Sequence, residues 1–191
     1  LTMCSCEFKT AVAVGIPKPE DSITDFFDCV CAGNYSDADR YLSGFSLKMN
    51  GQFTGPFSEK LYDYLQKSFR YRLLEMNDDN PAFFECKVEF TFLDNNLLAD
   101  DLKALATERG KAYIAANNME YLEKKDGVLE LSDEGAERTA VEALDELMKT
   151  PEKYCSTKLY DISMSFSEGK WTIQLPDDLY EAISGRFKPD N

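Results

Sequence analysis

The stretch from Ala82 to Asp94, AFFECKVEFTFLD, leaves the chain few ways to fold. Phe84, Cys86, Val88, Phe90 and Phe92 alternate with Glu85, Lys87, Glu89 and Thr91. Successive strand side chains point to opposite faces, so this run makes one apolar face and one charged face. Wound as a helix, the same residues would spread their apolar members around the cylinder. Aromatic and β-branched side chains also suit a half-buried pleated surface. One face must be covered and the other must meet water, which is the habit of an antiparallel sheet with helices on one side.

The neighbouring segments supply both kinds of element. Glu7 to Asp21 contains Gly15, Pro17 and Pro19 and reads as a tether. Ser22 is the expected N-cap of a helix carrying Ile23, Phe26, Phe27 and Val30, stopped by Gly33-Asn34. A second short helix starts at Ser36, with Ala38, Tyr41 and Leu42 inward and Gly44 as its stop. Phe45, Leu47 and Met49 alternate toward the turn dipeptide Asn50-Gly51, as a short strand or an ordered loop. Pro56 and Ser58 open a third helix with Leu61, Leu65 and Phe69 on one side. Tyr71–Met76 is expected to pair with Phe83–Leu93 as a hairpin, turned by Asn77-Asp78-Asp79-Asn80-Pro81.

After Asp94 the composition changes. Leu97 to Lys124 is rich in Ala, Leu, Glu and Lys, and Leu98, Leu102, Leu105, Ala112, Ala116 and Met119 keep a helical spacing. Gly110 is where that helix can bend or split, and Gly127 breaks it. Ser132-Asp133-Glu134 caps a further helix with Ala140, Val141, Leu144, Leu147 and Met148 inside, left at Pro151. Tyr160, Ile162, Met164 and Phe166 then alternate with polar residues, Glu168-Gly169 turns, and Trp171, Ile173 and Leu175 alternate in a closing strand. Pro176-Asp177 starts a last helix that ends at Gly185. The division is a signal remnant and tether at 1–21, a single domain at 22–187 with a helical insertion at 97–150, and a tail at 188–191.

Composition removes several functions. With 35 acidic and 21 basic residues the net charge is −14, the wrong balance for a nucleic-acid partner. There is no histidine, so the commonest general base, the commonest metal ligand and every Ser-His or Cys-His pair are missing. The six cysteines, at 4, 6, 29, 31, 86 and 155, form no CxxC and no zinc pattern. Cys29 and Cys31 point to different sides of a helix, while a Cys86–Cys155 cross-strand bridge stays open. The clusters Asp78-Asp79-Asn80, Asp94-Asn95-Asn96 and Asp100-Asp101 lack calcium-loop spacing and read as turn formers and caps, as does Asp177-Asp178 at a helix start. No catalytic residue, metal ligand or cofactor motif is identified.

The opening LTMCSC has the look of the end of a bacterial lipoprotein signal. A small residue, Ser5, precedes Cys6, which makes Cys6 the better lipidation site; Cys4 follows the bulky Met3 and is the poorer one. No segment reaches the about 18 apolar residues of a transmembrane helix. The expectation is an exported domain in the cell envelope that meets the membrane only through a lipid.

The order of elements resembles the nuclear-transport-factor-2-like (cystatin-like) superfamily, in which helices pack on a curved antiparallel sheet. DFFDCVCAGNYSDADRYLSG is similar to the opening helices of bacterial envelope lipoproteins of unknown function in that superfamily, and EGKWTIQLPDDLYEAISG to their closing strand and terminal helix. VEFTFLD followed by a leucine-rich helix is similar to their strand running into a helix. The resemblance covers about residues 22 to 187, and the helical stretch at 97–150 is long for it. It implies an α+β fold with a curved antiparallel sheet of about four to six strands on N-terminal helices, with a helical insertion. It also implies a concave pocket between sheet and helices, with Tyr41, Tyr62, Phe84, Phe90 and Trp171 as candidate lining.

Three functions follow. The first is a non-catalytic envelope domain that binds a small apolar molecule, a peptide or an envelope protein. The second is an isomerase or lyase using a buried carboxylate of raised pKa, with no acid here aligned to that role. The third is a protein-interaction domain; Glu85, Lys87, Glu89 and Thr91 make the outer sheet face polar, so a monomer or weak dimer is expected.

Overall fold

The computed structural model describes residues 17–44, 46–47 and 54–185. Over these residues it is α+β, with six α-helices, a four-stranded antiparallel sheet that does not close on itself, and a separate two-stranded sheet. The main sheet has the order β1 (Arg70–Asn80), β2 (Phe83–Leu93), β5 (Cys155–Ser167), β6 (Lys170–Gln174). Each neighbouring pair is antiparallel. β2 and β5 pair without a slip from Phe83 opposite Ser165 to Leu93 opposite Cys155.

The alternation in β2 does what it implies. Phe84, Cys86, Val88, Phe90 and Phe92 are buried, while Glu85, Lys87, Glu89 and Thr91 line the other face. α1 (Pro19–Cys31) lays Ile23, Phe26, Phe27 and Val30, all fully buried, against that apolar face. The Phe90 ring meets Phe27 at 5.8 Å and Phe69 at 5.3 Å between centroids. Each such side chain contributes about 1.5–3 kcal/mol when taken from water. On the far face the charges pair across strands, Arg72 with Glu89 and Lys87 with Glu75.

The ends of elements follow local chemistry. α1 starts at Pro19 in its first turn, so Ser22 is not the N-cap; it lies inside the helix and its hydroxyl donates to the Lys18 carbonyl. α2 (Tyr35–Ala38) and a 3-10 turn at Asp39–Tyr41 make the second short helix, and Leu42 bridges in parallel to Ile173 at the edge of β6. Of the expected strand around Phe45–Met49, Leu47 is fully buried and in no strand; Phe45, Met49 and Asn50-Gly51 lie outside the described residues. α3 (Pro56–Ser68) packs on β2 and on α5.

Two expectations are corrected. β1 does not stop at Met76 but runs to Asn80, with register shifts between Leu73 and Met76 and between Asn77 and Asn80; the turn is Pro81-Ala82. The stretch at 97–150 is not all helix. α4 (Asn95–Ala115) is followed by a 3-10 turn and by the hairpin β3 (Leu122–Lys125) and β4 (Val128–Leu131), before α5 (Asp133–Leu147). Asp126 (φ 51°) and Gly127 (φ 87°) supply the positive φ pair that a tight hairpin turn needs. α4 runs unbroken through Gly110, and the Leu131 Cδ1 lies 2.7 Å from where a Cβ at that position would stand. Ala112, Ala116 and Met119 are exposed rather than inward.

The remaining caps match their sequence signals. The Asp94 carboxylate accepts from Asn96 N at the start of α4, and the Ser132 hydroxyl accepts from Gly135 N at the start of α5. α6 (Asp177–Ser184) ends at Gly185 in the left-handed conformation. Cys86 stands opposite Ile162, seven residues along β5 from Cys155, so the open Cys86–Cys155 bridge does not form; all four described cysteines are free.

Candidate functional site

Clefts open on the described surface in at least three places. One, of about 480 Å³, lies on the far sheet face against Glu75, Glu85, Lys87 and Asp161. A second, of about 430 Å³, lies beside α1 and α2 against Asp25, Asp28, Asp37 and Arg40. The third, of about 560 Å³, opens where the C-terminal end of α3 meets the end of the β2–β5 ladder and the turn after α5. The first two carry three acids and one cation each. The third carries Lys67 and Arg70 against one acid, Glu152. All three volumes fall in the range of small-molecule sites.

The third cleft is built from the ends of several elements. Leu93 and Met148 are buried beneath it and Pro151 and Cys155 stand at its side. Ser68, at the last turn of α3, donates to the Leu65 carbonyl (2.6 Å) and accepts from Leu93 N (2.7 Å), which ties helix to strand. Thr91 and Thr157 face each other across the β2–β5 ladder with their hydroxyl oxygens 2.8 Å apart. Tyr64 donates to Asp145 (2.8 Å), so its ring is held at the wall. Arg70 donates to the carbonyls of Lys67 (2.8 Å) and Phe69 (2.6 Å), satisfying groups that the end of a helix leaves open.

Burial, the hydrogen bond to Asp145 and that carboxylate's charge push Tyr64 up to about 12. Burial and the nearby Glu152 raise the Cys155 thiol, with Arg70 opposing them, so it stays protonated at neutral pH. Its Sγ donates to the Pro151 carbonyl (3.3 Å). No activated nucleophile or base stands in this cleft. Among the described residues no carboxylate is buried, and no group of three or more His, Cys, Asp or Glu side chains is placed to hold a metal ion. No helix among them is long and apolar enough to cross a membrane.

The five residues named from the sequence do not share one cleft. Phe84 and Phe90 are fully buried in the core, and Phe84 meets Trp171 edge-on at 6.5 Å. Trp171 donates from Nε1 to the Pro17 carbonyl (2.8 Å). Tyr62 packs beside Tyr35, with ring centroids 6.3 Å apart, and burial raises its hydroxyl. Tyr41 lines the acidic cleft, donating to Asp25 at 3.3 Å. None of the five borders the third cleft, whose aromatic residue is Tyr64. Sequence reasoning missed Lys67 and Arg70, whose local signal is KSFRYR, a short basic cluster in an acidic chain.

Fold and cleft together define an α+β domain with helices on one face of an open antiparallel sheet and a cation-rimmed cleft at the sheet's end. No protein-family model matches the chain, and no curated protein matches it. A solved structure to which it is similar is that of a candidate lipoprotein, YcdA, from Bacillus subtilis subsp. subtilis str. 168, at 17% identity and a TM-score of 0.38. That match covers 91% of this chain and 48% of the other, so the chain spans about half the length of that protein.

Proposed function

We propose that the protein is a non-catalytic envelope domain that holds a small, largely apolar molecule in the cleft between the end of α3, the β2–β5 ladder and the turn after α5. The observation that carries this reading is the cleft itself: about 560 Å³, with Leu93, Met148 and Pro151 in its wall and no reactive group at its centre. Concave, mainly apolar sites with a few placed polar groups are where small molecules bind. Attachment to the membrane by a lipid on Cys6, with Cys4 as the poorer site, rests on the LTMCSC sequence, and residues 1–16 lie outside the described structure. A Pro- and Gly-containing stretch between Cys6 and α1 would let an anchored domain stand clear of the bilayer.

The order of helices and antiparallel strands supports reading the fold as nuclear-transport-factor-2-like. In that reading the space between sheet and helices, where the superfamily's enzymes keep their pocket, is filled here by Phe27, Phe84, Phe90 and Phe92. The binding site therefore sits at the end of the sheet. A carboxylate-dependent isomerase or lyase would need an acid raised by burial, whereas the described carboxyls with a resolved shift, Asp101, Glu142, Asp145 and Glu146, are all held low.

Native mass spectrometry of protein purified gently from its own cells tests the proposal. The expected result is a reproducible extra mass that leaves on denaturation, together with an acylated N-terminal cysteine in the membrane fraction. A bare chain that takes up no alkyl compound when exposed to one would remove the binding reading. An unacylated mature N-terminus would remove the anchor.

A further inference from the structure

The cleft proposed above as the binding site differs in charge from the clefts on the far sheet face and beside α1. The chain carries −14 overall, a field that repels anions from most approaches. The other two clefts reinforce it with three acids and one cation each. This one reverses it: Lys67 and Arg70 stand on one side of the mouth and Glu152 is its single acid. An apolar ligand gains nothing from such a reversal.

Both cations have capacity left for a ligand. Arg70 presents five N–H donors on its fork, and its contacts to the Lys67 and Phe69 carbonyls both come from one terminal nitrogen, Nη1. Those two bonds fix the head of the side chain at the end of α3, so the guanidinium is held in place rather than swinging in solvent. Lys67 pairs with Asp63 one helical turn back (2.6 Å), but that pair is solvent-exposed and easily exchanged. In the same cleft the Thr91 and Thr157 hydroxyls add neutral donors, and Tyr64, Pro151 and the edge of Met148 add apolar surface over the buried Leu93. The cleft thus brings together cations, hydroxyls and apolar surface, the three kinds of group an anionic amphiphile uses.

We infer that the ligand of this cleft is an anionic amphiphile: a carboxylate or phosphate head on Lys67 and Arg70, and an alkyl chain against Tyr64, Pro151 and the edge of Met148. This rests on the binding reading above and adds the ligand class to it. A lipid headgroup and a free fatty acid share this chemistry, and the arms of the test separate them.

The experiment is isothermal titration of the intact domain with decanoate, decanol and decyltrimethylammonium, each below its micelle concentration, and with decyl phosphate as the phosphate head. Decanoate or decyl phosphate is expected to bind roughly tenfold tighter than decanol, with the cation weakest, and the preference should shrink as salt is raised. Preference for the phosphate head points to a lipid headgroup, and preference for the carboxylate to a fatty acid. In Lys67→Gln, and more fully in Lys67→Gln with Arg70→Gln, the preference should vanish while decanol binding persists. Persistence of decanol binding also shows that the variant is folded, which matters because Arg70 closes the end of α3. Equal affinity for decanoate and decanol in the unaltered protein overturns the anionic class and leaves the apolar cleft standing. An anion preference untouched by both variants overturns its placement here, and no binding of any of the four overturns the cleft reading as well.

Discussion

Asp145 is a useful residue on which to weigh the polar contacts of this protein. Sitting on α5, it accepts from Lys60 and from the Tyr64 hydroxyl, both on α3. Partial burial pushes its carboxyl up, but those two hydrogen bonds and the Lys60 charge outweigh it and hold the group below the usual range. Glu142, bonded by Tyr113 and Arg138, and Asp101, bonded by Lys153 and Tyr154, are held low as well. A carboxyl with a lower pKa in the folded than in the unfolded chain contributes stability above the unfolded value, near pH 4, and loses it as the pH falls through the folded one. The side chain of Asp145 is 39% exposed, so solvent screens the contact. Asp145→Asn is therefore expected to lower stability at neutral pH by about 1 kcal/mol or less. The gap should narrow from neutral pH to a pH well below the usual carboxylate range, because the carboxyl there takes up a proton and becomes neutral like the amide. Urea unfolding at the two pH values checks this, and a gap that persists in acid means that the side chain acts by packing alone.

Among the elements, α5 is seated by a contact that only glycine allows. A Cβ on Gly135 would stand 2.2 Å from the Tyr121 carbonyl oxygen and 3.0 Å from the Tyr121 Cβ. That same carbonyl accepts from Ser132 N (3.0 Å), so the end of the β3–β4 hairpin and the first turn of α5 are locked together. Glycine to alanine in a helix ordinarily stabilises by about 0.5–1 kcal/mol. Gly135→Ala should instead destabilise by about 1–3 kcal/mol, because the backbone it meets cannot move aside. Gly110→Ala meets the Leu131 Cδ1 at 2.7 Å, the free end of a side chain, and should stay within about 1 kcal/mol of neutral. Denaturation curves of the two variants make the comparison, and a Gly135→Ala protein more stable than its parent would refute the close approach. The same region shows where sequence reading stopped. β2 and the β5–β6 hairpin were legible because Phe84 to Phe92 and Tyr160 to Ile173 alternate over enough residues to exclude a helix. β3 and β4 were not, because LEKK and VLEL are four residues each and their Leu, Glu and Lys are good helix formers; Asp126-Gly127 was their only local mark. The far half of β1 was hidden by Asn77 to Asn80, turn-forming residues that the structure places in a strand with two register shifts. The cleft was legible least, since Lys67, Thr91, Met148 and Thr157 come from four stretches and meet only through the β2–β5 register and the α3–α5 packing.

At the scale of the molecule, the four-stranded sheet and the small hairpin differ in how they are held. β2 is flanked by β1 and β5 and is buried along one whole face, as is the middle of β5. β3 and β4 have four paired positions, one buried residue, Leu122, and an exposed apolar tip at Val128, 66% accessible. A two-stranded ribbon is marginal without support, and this one leans on α4 and α5. It should open locally without unfolding the sheet. Hydrogen exchange of the free protein is expected to show amides of 122–131 at least about a hundredfold less protected than those of 84–92 and 158–164. Equal protection would mean that hairpin and sheet form one cooperative unit. The cleft takes Thr91 and Leu93 from β2 and Thr157 from β5, and its rim from the end of α3, all on the well-held side of this divide. A site formed before its ligand arrives loses little freedom on binding. Protection on adding decanoate should therefore rise around 64–70, 91–93 and 148–157 and leave 122–131 unchanged. A rise confined to 122–131 would move the binding site to the hairpin arm.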